Sequence, residues 1–187
     1  MDMLSPQRRS ELMSRIKDRD TGPEMKVRRL LHRLGYRYRA CARSLPGRPD
    51  LAFRRRRKVI FVHGCFWHGH EGCRHATTPA SNCGYWLPKL AANRARDARN
   101  IAALAALGWE VLVVWECEIK APGGLLARLT TFLGPPTRPL PEGLDDRAIR
   151  NMMRGLPANA PVRRRRAGRV RTRASRPGAD EVAGPTR

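Results

Sequence analysis

Eleven consecutive residues, His63-Gly-Cys-Phe-Trp-His-Gly-His-Glu-Gly-Cys73, hold three imidazoles and two thiols. Thiolates and imidazoles two to five residues apart suit a tetrahedral zinc ion, because one short loop can wrap it. Cys65, His70 and Cys73 supply three donors. Cys117, directly after an apolar run, is the best fourth, with Cys83 and His75 in reserve. Four Cys or His within residues 65–73 outweigh the alternative of packed thiols beside unrelated histidines. Cys41, alone after a Tyr-Arg alternation, reads as a buried or half-exposed thiol without a chemical role. A second chemistry lies upstream, where Pro49-Asp50 ends the rigid turn Leu45-Pro46-Gly47-Arg48. A carboxylate at a sheet edge can anchor Mg²⁺, which keeps most of its waters and takes other oxygens from phosphate. An isolated Pro-Asp more often caps a turn. His63 and His68 just downstream raise the catalytic reading, since imidazoles can activate water and protonate a leaving oxygen near neutral pH.

These residues need elements to hold them. Residues 6–18 read as a short basic helix with Leu12, Met13 and Ile16 on one side. Thr21-Gly22-Pro23-Glu24 has the form of a capping box, and Val27, Leu30, Leu31 and Leu34 follow at helical spacing up to Gly35. Leu51–Phe53 and Val59–Val62 flank the basic turn Arg54–Lys58, which predicts a hairpin of two buried strands. The Arg54–Arg57 run is read as a solvated turn, with phosphate contact as the alternative. A long amphipathic helix is expected over 88–107, closed by Gly108. Trp109–Trp115 is a continuous apolar run of strand length, the kind covered on both faces of a sheet. The order of elements predicts an α/β sandwich with a mixed sheet.

The chain has 187 residues and a formal charge of +22, from 38 Lys and Arg against 16 Asp and Glu. That length suits one domain with a real core. Residues 161–187 carry nine Arg against two acids and no aromatic residue, the composition of a disordered basic tail. Without that +7, residues 1–160 keep +15, so a polyanion is the expected partner, nucleic acid ahead of a membrane surface. Pro135, Pro136, Pro139 and Pro141 follow the last apolar run, Leu125–Leu133, and place the domain end near 134, with 135–187 as an extension. No apolar run approaches the ~20 residues of a membrane span. The charged N-terminus lacks a signal-peptide stretch, so a reducing cytoplasm and free or metal-bound thiols are expected.

Asp50 before a hairpin strand resembles the metal anchor of PD-(D/E)xK nucleases, although Phe61 and His63 stand where that class places its second acid and lysine. The runs SLPGRPDLAF, VIFVHGCFWHGHEGC, WLPKL, NRARD and LGWEVLVVWEC, over roughly residues 6–133, closely resemble very short patch repair (Vsr) endonucleases. That resemblance implies a restriction-endonuclease-like, three-layer α/β sandwich with a structural zinc. It implies a DNA repair enzyme that nicks 5′ of the T in T·G mismatches left by deaminated 5-methylcytosine. Asp50 would hold catalytic Mg²⁺, two ions in all, with the Val62 backbone carbonyl as a further ligand. His68 would be the general base, and His63 would assist near the scissile phosphate. Glu24 would complete the acid site at one water's remove from the metal. Cys65, His70, Cys73 and Cys117 would hold the zinc, and residues 1–20 would contact DNA. Phe66, Trp67 and Trp86 would form a wedge in the base stack. The composition agrees, since large apolar side chains on a metal-stiffened loop suit an intercalating wedge better than a core.

Asn93 and Asp97, one helical turn apart, read as a solvated face, though Asp97 could orient His68 by accepting its second N–H. The expected partner is mismatched duplex DNA, with mismatch-repair proteins as candidates, in a cytoplasmic, nucleoid-associated monomer. Two other readings stay open. One is a related nuclease with another DNA target. The other is a non-catalytic, zinc-stabilised nucleic-acid-binding protein, which leaves Asp50, His63 and His68 without a role.

Overall fold

The structure, a computed structural model, describes residues 7, 8, 11, 19–77 and 82–154. Of the helix expected over 6–18, residues 7, 8 and 11 are helical and the rest lies outside the described residues, as does the basic tail. Thr21 caps helix α1 (Gly22–Arg33), with Pro23 tolerated in the first turn. Strands β1 (Arg39–Ala40), β2 (Leu51–Phe53) and β3 (Lys58–His63) follow, then the single turn α2 (Cys65–His68). The remaining elements are helix α3 (Cys83–Ala106), strand β4 (Glu110–Trp115), and helices α4 (Glu116–Lys120), α5 (Pro122–Leu133) and α6 (Asp146–Met153).

The sheet runs β1-β2-β3-β4, antiparallel across the first two pairings and parallel between β3 and β4. Side-chain alternation sorts its two faces. Leu51, Phe53, Ile60, Val62 and Val114 pack beneath α1 and α5, against Val27, Leu30, Leu31, Leu125 and Leu129. Ala52, Val59 and Phe61 point the other way, toward Leu104 of α3 and Trp109. Helices therefore cover both faces of a mixed sheet. β4 was expected inside the sheet but is an edge strand, with Val114 its one fully buried residue. Its apolar run reflects cover from helices, since no further strand pairs with it among the described residues. α3 begins five residues before the expected start, because buried Trp86 and Leu90 anchor its first turns and outweigh the backbone bond lost at Pro88.

Two expectations need correction. Arg54–Arg56 is a 3₁₀ turn, and its arginines are more than solvated. Arg56 donates to the carbonyls of Leu133 and, at 2.7 Å, Pro135, while Arg57 donates to Leu107 and lies 5.1 Å from the Trp109 ring centroid. The turn thus caps the C-termini of α5 and α3, where a cation is favoured by the helix dipole. The boundary at 134 also falls too early. Asp145 caps α6 by accepting from the Ala148 amide at 2.7 Å, and α6 buries Ile149 and Met153 in the main core. Arg33 of α1 then donates to the carbonyls of Asn151 at 3.0 Å, Arg154 at 2.9 Å, and Met152. Two buried side chains one turn apart suffice to dock this helix, and the flanking prolines hid so sparse an apolar pattern.

Candidate active site

The N-terminal turn of α1 builds an acid site. Glu24 is buried, 5% exposed. Its carboxylate accepts from the Thr21 hydroxyl at 2.8 Å, the Asp20 amide at 2.9 Å and Arg28 Nη2 at 3.1 Å. Asp50 enters from the turn before β2 and accepts from the Val62 amide at 2.8 Å. The preceding Gly47 has φ +68°, and a Cβ there would meet Asn100 of α3 at 2.9 Å, so a side chain would force this turn away from the helix. Burial and the neighbouring Glu24 push the Asp50 carboxyl up to about 7. A buried and a half-buried carboxylate side by side are a donor set that a hard divalent cation relieves, so the residues present fit Mg²⁺.

Beside the acids, His63 ends β3 and His68 ends α2. Their rings stack with centroids 3.8 Å apart at 13°. Burial, then the His68 charge, push His63 down to about 4. His68 Nδ1 lies 2.6 Å from Asp97 Oδ2, and Asn93 Nδ2 donates to the Trp67 carbonyl at 3.0 Å. Asp97 and Asn93 therefore face the site and are not a solvated helix surface. Glu24, Asp50, His63, His68 and Asp97 line one cleft of about 980 Å³, with Arg48, Lys89 and Arg96 adding positive charge at its wall. Phe61 also reaches this cleft, and its ring lies 5.7 Å from that of His63.

The donor atoms of Cys65, His70, Cys73 and Cys117 all lie within 4.8 Å of one another. His70 Nδ1 is 3.4 Å from Cys117 Sγ, and the His70 ring stacks on Trp115 at 4.1 Å and 2°. Cys83 and His75 stay outside this group. Burial and the adjoining Cys65 and Cys73 push the Cys117 thiol up to about 12, and a bound cation would let such crowded thiols ionise. Three thiolates and an imidazole fit zinc.

Phe66, Trp67 and Trp86 form a triangle of edge-to-face contacts, with centroids 5.1, 5.7 and 5.9 Å apart. Trp86 is buried there and the other two are half-buried. Sequence reasoning missed Tyr85, 5.1 Å from Trp86 and half exposed, and Lys89, whose Nζ lies 5.0 and 5.5 Å from the Tyr85 and Trp86 rings. The spacing of Tyr85 and Lys89, one turn apart on α3, was the available signal. It missed Arg28 as well, whose partners lie partly on another element. Cys41, read as idle, accepts from Arg28 Nη2 at 3.2 Å.

The family described as DNA mismatch endonuclease Vsr matches residues 1–74 of the chain. A type II nicking enzyme, V.XorIIP, from Xanthomonas oryzae pv. oryzae is 56% identical over 134 residues, 72% of this chain and 98% of that one. The type II nicking enzyme V.NmeAIP of Neisseria meningitidis is 40% identical over 119 residues, 64% and 84% of the two chains. The DNA mismatch endonuclease Vsr of Escherichia coli K12 is 46% identical over 112 residues, 60% and 71% of the two chains. Identity at this level runs nearly the whole length of one relative and most of the others, and the chain belongs to the Vsr family of DNA endonucleases.

Proposed function

We propose that this protein nicks one strand of duplex DNA 5′ of the T in a T·G mismatch, by Mg²⁺-dependent hydrolysis of a phosphodiester. The observation that carries the proposal is one cleft lined by an acid pair, a histidine pair and Trp67, one corner of the aromatic triangle. The mixed sheet with helices on both faces supports a restriction-endonuclease-like fold in which Phe61 and His63 replace the usual acid and lysine.

Asp50 and the Val62 carbonyl would hold the Mg²⁺, two ions in the form the family resemblance implies, with Glu24 completing the acid site at one water's remove. When bound, Mg²⁺ supplies Lewis-acid polarisation and charge neutralisation at the scissile phosphate. Asp97 accepts the Nδ1 proton of His68, which leaves Nε2 with its lone pair free to take a proton from the attacking water. His63 stays uncharged at neutral pH, and its stacked ring fixes the plane of His68 while its nitrogen assists at the phosphate. Arg48, Arg96 and Lys89 would grip the backbone. Phe66, Trp67 and Trp86 would enter the stack beside the mismatch, where unstacking costs least. Cys65, His70, Cys73 and Cys117 would hold one structural zinc, whose task is to stiffen the loop bearing Phe66, Trp67 and His68. One strand is cut, so a monomer suffices, with mismatch-repair proteins as candidate partners.

The test compares T·G, U·G and C·G duplexes with Mg²⁺ and with EDTA. Nicking of T·G that EDTA abolishes is expected. Tight T·G binding with no cut under Mg²⁺ would turn the protein into a zinc-stabilised binding module. Cutting that ignores the mismatch would point to a related nuclease with another target.

A further inference from the structure

Arg28 stands one turn after Glu24 on α1, with its side chain 5% exposed. Nη2 donates to Glu24 Oε2 at 3.1 Å and to Cys41 Sγ at 3.2 Å. Nη1 bonds Asp20 and lies 3.8 Å from Met25 Sδ. The Tyr38 hydroxyl donates to the Arg28 carbonyl at 2.8 Å. Nε is buried and has no partner among the described residues. A buried guanidinium with a donor left unpaired contributes less stability than an apolar side chain of similar size. Its place in the fold is explained by what it touches. Glu24 and Asp50 share the cleft, and the guanidinium offsets negative charge there before any metal arrives.

We propose that Arg28 is a positioning residue of the acid site, holding the Glu24 carboxylate beside Asp50 while offsetting its charge, so that it sets both the affinity for a divalent cation and the rate of cutting. This rests on the Mg²⁺ reading above. The two effects oppose each other. Without Arg28 the pocket is more negative and draws a divalent cation more strongly, while Glu24 loses the partner that fixes it. Lysine would keep the charge but not the fork that reaches Asp20, Glu24 and Cys41 together.

The experiment measures Mn²⁺ binding alone, from the electron-paramagnetic signal of the free ion, on the zinc-loaded full chain without DNA. Nicking at saturating metal is measured in parallel for wild type, Arg28→Met, Arg28→Lys and Asp50→Asn. Arg28→Met should bind Mn²⁺ on the order of tenfold more tightly, since a unit charge beside a divalent site is worth at least that at protein-surface dielectric. Its nicking should fall about a hundredfold, as expected when a group in the site shifts by an ångström. Arg28→Lys should bind Mn²⁺ within about threefold of wild type yet nick as poorly as Arg28→Met. A purely structural role would instead lower affinity and rate together. Unchanged or weaker Mn²⁺ affinity in a folded Arg28→Met overturns the proposal, as does wild-type nicking by Arg28→Lys, which decides alone should Arg28→Met not fold. Mn²⁺ binding that Asp50→Asn leaves intact would remove the acid site itself, a failure separable from that of Arg28.

Discussion

Ile149→Ala tests where the folded unit ends. Ile149 is 2% exposed in the core shared by α1, α5 and the sheet, so α6 is either an integral helix or a strap lying on a finished domain. Truncating a fully buried Ile to Ala costs about 2–5 kcal/mol, and the lower half applies where the site can partly collapse. α6 is gripped at its C-terminus by Arg33, yet it packs from one side only, so about 2–3 kcal/mol is expected. That is a large share of the ~5–15 kcal/mol holding a typical domain. Urea unfolding of the zinc-loaded protein, followed by tryptophan fluorescence, should show a midpoint lower by about 1 M at unchanged slope. Arg147→Ala, exposed on the same helix, serves as the control and should stay within about 0.5 kcal/mol of wild type. A loss below about 0.5 kcal/mol for Ile149→Ala would restore the boundary at 134 and make α6 an accessory.

Other substitutions address the chemistry. Asp50→Ala should abolish nicking while mismatch binding, measured by gel shift, survives, because cationic side chains and not this carboxylate grip the duplex; retained nicking would remove Asp50 from the mechanism. Wild type should carry roughly one equivalent of zinc by metal analysis, and Cys73→Ser should lose it and melt at a lower temperature, because structural zinc contributes folding free energy directly. Full zinc occupancy in that variant would move the ligand role to His75 or Cys83. Asp97→Asn should keep the fold and slow nicking by about 10²–10⁴, the range set by loss of a correctly oriented general base; a change under about threefold would return Asp97 to a structural role.

Chemistry carried within one short segment was legible, and chemistry assembled across elements was less so. The thiols and imidazoles of residues 63–73 sit in one short segment, so their spacing alone grouped them, and Cys117 could be added because it closely follows an apolar run. The hairpin was legible because Leu51–Phe53 and Val59–Val62 flank a basic turn. Asp97 and Asn93 were misjudged because helical spacing says which residues share a face, not what lies opposite it. The arginines of the turn were misread for a related reason, since exposed carbonyls at the ends of α3 and α5 become neighbours only after folding. α6 was missed because a short amphipathic helix between prolines offers only two deeply buried positions to find.

β3 and β4 pair in parallel, and the chain between them must pass through all of α3 before the pairing can form. The cluster of Cys65, His70, Cys73 and Cys117 sits at the ends of those same two strands, its outermost members 52 residues apart in the chain. Closing that loop carries most of the entropic cost of either event. Once the strands zip, the four donors arrive together, and a metal could close over them at little further cost. Conversely, a metal captured early would tie the crossover shut before the sheet has formed. Pairing and ligation are then two locks on one loop, and refolding with and without metal should differ most in the step that brings β4 alongside β3.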